Sequence, residues 1–196
     1  MSLAAVVGAS ALLAGCTADA GAQGDSAAFA DQVAAIIEQA EAGGAGDAQM
    51  AILRHAQAEG ELSLEDARTA ARAAVQCMTE AGVLAGYGES ASRSGLVVPE
   101  WSAEAAMGDE ELDLAIRVCD EQEASWVNQL YQTQPSSLAF TEESIEQTAP
   151  LVRSCLESNG YPTDPSASPA DVIAQALEVD SDTGSAVDCI TEAGIW

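Results

Sequence analysis

The residues that could do chemistry in this 196-residue chain are mainly its five cysteines and its 32 acidic side chains. Cys77, Cys119, Cys155 and Cys189 lie in the body of the chain, whereas Cys16 follows an uncharged segment near its start. No Cys-x-x-Cys pair occurs, which disfavours a dithiol redox site or a zinc knuckle. The four later cysteines are therefore expected to form two disulfides in an oxidising compartment.

Candidate catalytic and metal-binding groups are few. His55 is the only histidine, so a histidine-dependent triad would depend on it alone. The candidate cation site consists of Asp180, Asp182 and Asp188, which fall short of an EF-hand because the glycine comes one position early and the last ligand position is not glutamate. A turn followed by a helix cap is the favoured explanation of these aspartates. We expect no metal or other cofactor.

The other acidic groups, at 109–113, 120–123 and 142–143, are typical of helix N-termini and solvated helix faces. Paired carboxylates for glycoside cleavage would need an aromatic-lined cleft around them. The sequence also lacks a P-loop and a Gly-x-Ser-x-Gly nucleophile elbow. We therefore predict that the protein is not an enzyme, and an envelope hydrolase is the least favoured class.

The charge balance limits the possible partners. The net charge is −26, with six scattered arginines and no lysine. Binding to nucleic acid or to anionic lipid headgroups requires a basic stripe, so neither is expected as a direct partner. A cation, an envelope protein or a basic partner remains possible, although solubility is the favoured explanation of the acidity.

The uncharged segment from Leu3 to Ala14 is too short to span a bilayer and matches the apolar region of a signal peptide. It ends in Leu13-Ala14-Gly15-Cys16, which resembles the lipobox of bacterial lipoproteins. The resemblance implies that residues 1–15 are removed and that Cys16 becomes a lipidated N-terminus, anchored in the cell membrane at its extracytoplasmic face. Residues 16–26 are then expected to form a flexible tether.

Internal repeats surround the cysteines. Residues 63–82 align without a gap on 141–160, each predicted to be a helix that carries a cysteine at its fifteenth position and ends at glycine. A third Cys-x4-Gly element lies within 186–195. Two related modules are the simplest interpretation. Spacing alone allows three pairings, and we favour Cys77 with Cys119 and Cys155 with Cys189, since each module would then carry its own disulfide.

The predicted fold is mostly α-helical with a thin core, because Leu, Ile, Val and Phe make up only 38 of 196 residues. Residues 27–60 are predicted to form a helical hairpin, 61–134 a first disulfide-stapled module and 135–196 a second, shorter one. A small β-hairpin is predicted near 83–101.

Within these modules one long helix is expected from Asp109 to Gln132, with Pro135 ending it. A further helix is expected from Pro169 to Leu177, followed by a turn over 180–184. Pro150 should kink or split the helix predicted at 141–160.

Trp101, Trp126 and Tyr131 form a possible ligand groove, although aromatic residues on an apolar stripe are more often core. We expect a lipid-anchored protein of the cell envelope with a non-catalytic binding or scaffolding role. The alternative is a lipoprotein that binds a small solute or a cation. The lipobox, the Cys-x4-Gly elements and the helix ending in YQTQP together resemble the alanine-rich, cysteine-paired lipoproteins of high-GC Gram-positive bacteria, a resemblance that implies no particular activity.

Overall fold

The structure is a computed structural model that describes residues 20–92, 95–104 and 108–194. The predicted signal peptide (1–15) and the lipidation site Cys16 lie outside the described residues. Within them the chain forms eight helices and one two-stranded antiparallel sheet, which confirms the predicted mostly helical fold with a small hairpin. No helix in this part of the chain is both long and apolar enough to cross a bilayer.

In chain order the elements are α1 (Ala20–Gly43), α2 (Asp47–Glu59), α3 (Leu64–Glu80), β1 (Leu84–Ala91), β2 (Val97–Glu104), α4 (Asp109–Glu123), α5 (Ser125–Thr133), α6 (Pro135–Ser158), α7 (Pro169–Thr183) and α8 (Cys189–Glu192). Helix α1 thus begins inside the segment predicted as a tether. Alanine is frequent there, and it is the strongest helix former, so the helix extends back from the apolar stripe that starts at Phe29.

A larger core lies between α1–α5 and the β-hairpin. Helix α1 buries Phe29, Val33 and Ile36 in it, whereas α3 contributes mainly alanines. Because alanine side chains are short, the elements that pack against α3 approach it closely, but each alanine buries little apolar area. This core therefore gains less from burial than a leucine-rich core of the same length.

Local signals and a covalent bond fix the position of α3. Ser63 and Asp66 form a reciprocal capping box at its start. Near its end, a disulfide joins Cys77 to Cys119 of α4, with the two Cα atoms 5.5 Å apart. The hairpin packs on the same helix, with Tyr87 of β1 opposite Trp101 of β2.

The single helix predicted from Asp109 to Gln132 is wrong, because the helix breaks at Ala124, where φ is −138°. Gln49 of α2 compensates for this break from within the core, where it is 0% exposed. Its Oε1 accepts hydrogen bonds from the amides of Trp126 and Val127, and its Nε2 donates to the carbonyl of Glu121. The Gln49 side chain thus hydrogen-bonds backbone N–H and C=O groups that have no helical partner at the break.

A second buried glutamine lies between α5 and α6. Gln134 accepts a hydrogen bond from the amide of Leu62 at 2.9 Å and donates to its carbonyl at 2.8 Å. Helix α6 then begins directly at Pro135, in the first helical position where proline is favoured. The predicted helix start at Thr141 is therefore wrong, because α6 already begins at Pro135, before the repeated segment 141–160.

Pro150 lies within α6 without splitting it, so the split that the sequence allowed does not occur. Proline cannot donate a hydrogen bond to the carbonyl of Glu146. Both residues are on the exposed side of the helix, where water can satisfy that carbonyl. The cost of the missing bond is therefore small enough for the helix to continue.

A smaller core is formed by the second half of α6 with α7 and α8. A disulfide joins Cys155 of α6 to Cys189 at the start of α8. The loop before α7 is held by Arg153, whose guanidinium donates hydrogen bonds to the Thr163 hydroxyl and to the backbone carbonyls of Asp164 and Ala167. Both disulfides thus join cysteines that are consecutive in the chain, the pairing favoured from the repeat.

The three Cys-x4-Gly elements end their helices in the same left-handed conformation. Their glycines Gly82, Gly160 and Gly194 have φ values of 87°, 87° and 78°. In the first two, the amide after the glycine donates to the carbonyl of the residue after the cysteine, from Val83 to Met78 and from Tyr161 to Leu156. This is the Schellman arrangement. The repeated sequence is therefore a helix ending that places a cysteine in the last turn.

Removal of either disulfide should destabilise the core that contains it by about 4 kcal/mol, because each bond closes a loop of 42 or 34 residues. The test is chemical denaturation of Cys77→Ala/Cys119→Ala and Cys155→Ala/Cys189→Ala, with hydrogen exchange locating the loss. Equal protection of both cores in both variants would contradict the assignment of one disulfide to each core.

Replacement of Gly160 by alanine should cost about 1 kcal/mol, since a Cβ disfavours the left-handed conformation. An added Cβ meets no atom within 4 Å, so the cost comes from the backbone alone. Gly160→Asn is the matched control, because asparagine tolerates this conformation better and should lower the denaturation midpoint less. An equal loss in both variants would show that the backbone conformation is not responsible.

Candidate functional site

The three aromatic residues predicted to form a groove do not line a single cleft. Trp126 packs on the end of α1, where a Cβ added to Gly43 would lie 2.7 Å from its Cζ2. Tyr131 is 6% exposed, and its hydroxyl donates a hydrogen bond to the carbonyl of Val97. Only Trp101 faces the cleft described next. Trp126 and Tyr131 therefore act mainly as packing residues.

An open cleft of about 250 Å³ lies between α3, β2 and the junction of α4 with α5. Small apolar residues form much of its surface: Ala67 and Ala71 of α3, Pro99 of β2 and Ala124. The indole of Trp101 contributes a flat aromatic side. The polar residues in its lining are Glu100, Asp120 and Asn128. The Glu100 carboxylate itself lies on the other face of the hairpin, where it accepts a hydrogen bond from the Ser90 hydroxyl.

Asp120 is the most distinctive group in this cleft. Its Oδ1 accepts a hydrogen bond of 3.0 Å from the Trp101 indole N–H, which is the only hydrogen bond to this carboxylate within the part of the chain that the structure describes. Burial raises the pKa of Asp120, while the Trp101 hydrogen bond opposes that shift and the charge of Glu121 adds to it. The expectation that 120–123 is a solvated face is therefore wrong for Asp120.

The Cys77–Cys119 disulfide determines where Asp120 lies. Cys119 directly precedes Asp120 in α4, and its partner Cys77 is on α3, the helix that also supplies Ala67 and Ala71. Two sides of the cleft are thus joined covalently one residue away from its half-buried carboxylate. Sequence reasoning missed this site, although a carboxylate directly after a disulfide cysteine was a visible signal.

The structure does not gather the predicted cation ligands into a metal site. Asp180 and Asp182 lie in the last turn of α7, which continues to Thr183, so the turn predicted over 180–184 is wrong. Asp188 caps α8 by accepting a hydrogen bond from the amide of Thr191, and hydrogen bonds to Thr191 lower its pKa. No group of three metal-ligating side chains occurs among the residues described.

A charged network on the surface ties the β-hairpin to α3. Arg68 donates hydrogen bonds to both carboxylate oxygens of Glu89, and the Tyr87 hydroxyl donates to the same carboxylate. The Arg68 hydrogen bond, followed by that from Tyr87, lowers the pKa of Glu89. The guanidinium of Arg72 lies 4.8 Å from the Tyr87 ring centroid, within cation–π range. This network orients the hairpin and so positions Trp101 in the neighbouring strand.

His55 is exposed on α2 and has no hydrogen-bond partner in the described chain.

Comparison with known proteins finds no matching family model, no matching curated protein and no matching solved structure. The site must therefore be interpreted from its own geometry.

Asp120→Asn is expected to stabilise the protein at pH 7. The pKa of Asp120 is higher in the folded protein than in the unfolded chain. The free energy of unfolding therefore falls as the pH rises from the unfolded-state pKa to the folded-state pKa. An asparagine Oδ1 keeps the acceptor for Trp101 without a buried charge. The gain should vanish well below pH 4, where the carboxyl is protonated in both states.

Thermal unfolding at pH 7 and pH 3 measures this effect, and Asp113→Asn on the exposed face of α4 is the control with the same change of charge. Destabilisation of Asp120→Asn at pH 7 would show that the hydrogen bond from Trp101 to the charged carboxylate outweighs the cost of its burial.

Proposed function

We propose that this protein is a lipid-anchored lipoprotein at the extracytoplasmic face of the cell membrane, with a non-catalytic binding or scaffolding role in the envelope. One observation carries the proposal. The two disulfides use four of the five cysteines, and the cysteine left over, Cys16, ends the segment Leu13-Ala14-Gly15-Cys16 that resembles a lipobox. Disulfides themselves favour an oxidising compartment.

Exposed apolar side chains support a role in contacts with another protein. Leu114 and Val118 lie one turn apart on α4 and are 51% and 39% exposed. Leu138 and Phe140 of α6 are also exposed. Acidic residues surround them in sequence, so a basic envelope protein is the partner that this surface would favour.

Binding of a small solute or cation is the second candidate function, and the cleft beside Trp101 and Asp120 favours it. A concave, partly apolar site with a few polar groups is the usual form of a small-molecule site. An envelope hydrolase finds the least support, because His55 is exposed and distant in sequence from the cleft carboxylates.

Cys16→Ala should release the protein from the membrane fraction and abolish incorporation of a labelled fatty acid. The reason is that the sulfur of Cys16 is the proposed attachment point of the lipid, and without two or more acyl chains the tethered domain has no stable anchor. Cell fractionation and mass spectrometry of the N-terminal peptide measure both effects.

Thr17→Ala is the matched control, since it alters the neighbouring residue and leaves the sulfur in place. The anchor proposal fails if the Cys16→Ala protein stays in the membrane fraction and is still cleaved at the same bond.

A further inference from the structure

We infer that the cleft between α3, β2 and the α4–α5 junction binds a small organic cation that carries a primary ammonium group, with Asp120 as its counter-ion and Trp101 as its aromatic side. The inference rests on the second candidate function, small-solute binding, and names the chemical class of the ligand.

The charges in the cleft select for a cation. Asp120 is the ionisable side chain of the lining that lies on the α3 side of the hairpin, and no arginine lines the cleft. The nearby arginines of α3 are engaged elsewhere, Arg68 with Glu89 and Arg72 with the ring of Tyr87. A positive group entering the cleft therefore meets no competing cation in its lining, and the partial burial of Asp120 strengthens the attraction.

The hydrogen-bonding state of Asp120 favours ammonium over guanidinium. Oδ1 already accepts from the indole N–H of Trp101, and Oδ2 has no partner in the described chain. A guanidinium group binds a carboxylate best through two parallel hydrogen bonds, which would compete with the indole for Oδ1. An ammonium group is a compact charge that needs only the free oxygen. Asn128 is a further polar residue in the lining, and its Oδ1 accepts a hydrogen bond from Gln132.

The apolar part of the cleft suits a short hydrocarbon body. Ala67, Ala71 and Pro99 leave a smooth surface beside the indole of Trp101, which also attracts cations through its ring face. The volume of about 250 Å³ lies just below the range typical of sites for drug-sized ligands, so the ligand must be small.

A metal ion fits the cleft poorly. Calcium prefers six to eight oxygen ligands, whereas the lining offers the carboxylate of Asp120 and the amide of Asn128. An organic cation needs one charged hydrogen bond and an apolar contact, and the cleft supplies both.

The test is isothermal titration of the purified full chain in detergent with butylammonium chloride, followed in parallel by tryptophan fluorescence. We expect saturable binding with a dissociation constant on the order of 1 mM, as suits so small a ligand. Butylguanidinium should bind more weakly, and butanol and calcium chloride should give no saturable signal.

Asp120→Asn should weaken butylammonium binding by about tenfold or more, because it removes a charged hydrogen bond while keeping the acceptor for Trp101. Asp113→Asn removes the same charge from an exposed position of the same helix and should leave the affinity within about twofold, since solvent screens exposed charges. Thermal unfolding of both variants checks that they are folded.

Three results would overturn the inference. They are absence of saturable butylammonium binding, equal or tighter binding of butylguanidinium, and equal losses in Asp120→Asn and Asp113→Asn. Saturable binding of butanol without butylammonium would leave small-solute binding standing and reject only the cation. None of these results bears on the lipid anchor, which the Cys16→Ala experiment tests separately.

Discussion

The covalent bond between Cys77 and Cys119 is the constraint on which the larger core depends. Helix α3 faces its neighbours mainly with alanines, whose burial contributes little free energy per residue. Closing the 42-residue loop that contains the β-hairpin lowers the entropy of the unfolded chain instead. The same disulfide fixes the position of Asp120 relative to α3. It therefore both stabilises this thin core and positions the carboxylate of its cleft.

Two buried glutamines form hydrogen bonds with backbone groups at places where helices are interrupted. Gln49 serves the break at Ala124, and Gln134 links the start of α6 to Leu62. Each amide is both donor and acceptor, so one side chain can satisfy a carbonyl and an N–H group together. An unpaired polar group in these positions would cost more than the hydrogen bonds gain. Polar residues are therefore part of the architecture of this core.

Much of the fold could be predicted from local sequence. The capping box at Ser63, the glycines that end helices, and the hairpin near 83–101 depend on residues close in the chain, and the structure contains all of them. The repeat also favoured the pairing of consecutive cysteines that the structure shows. These features need no knowledge of tertiary packing.

The helix break and the cleft were missed because distant residues decide both. The apolar stripe runs unbroken through 109–132, and the break at Ala124 is paired by Gln49 from another helix. The burial of Asp120 likewise depends on Trp101, which the hairpin brings to it. The spacing of apolar residues in the sequence indicates neither of these contacts, so the helix break and the candidate site could not be predicted.

Helix α6 connects the two cores: its start packs against α5 and α1, and its second half lies in the smaller core. Between Leu138 and Thr148 it buries none of its residues. The principal packing partners of α7 and α8 are α6 and each other. Loss of the smaller core would therefore remove few of the contacts that hold the larger one. We therefore expect such a chain to unfold in two cooperative units, which a single two-state equilibrium would not describe.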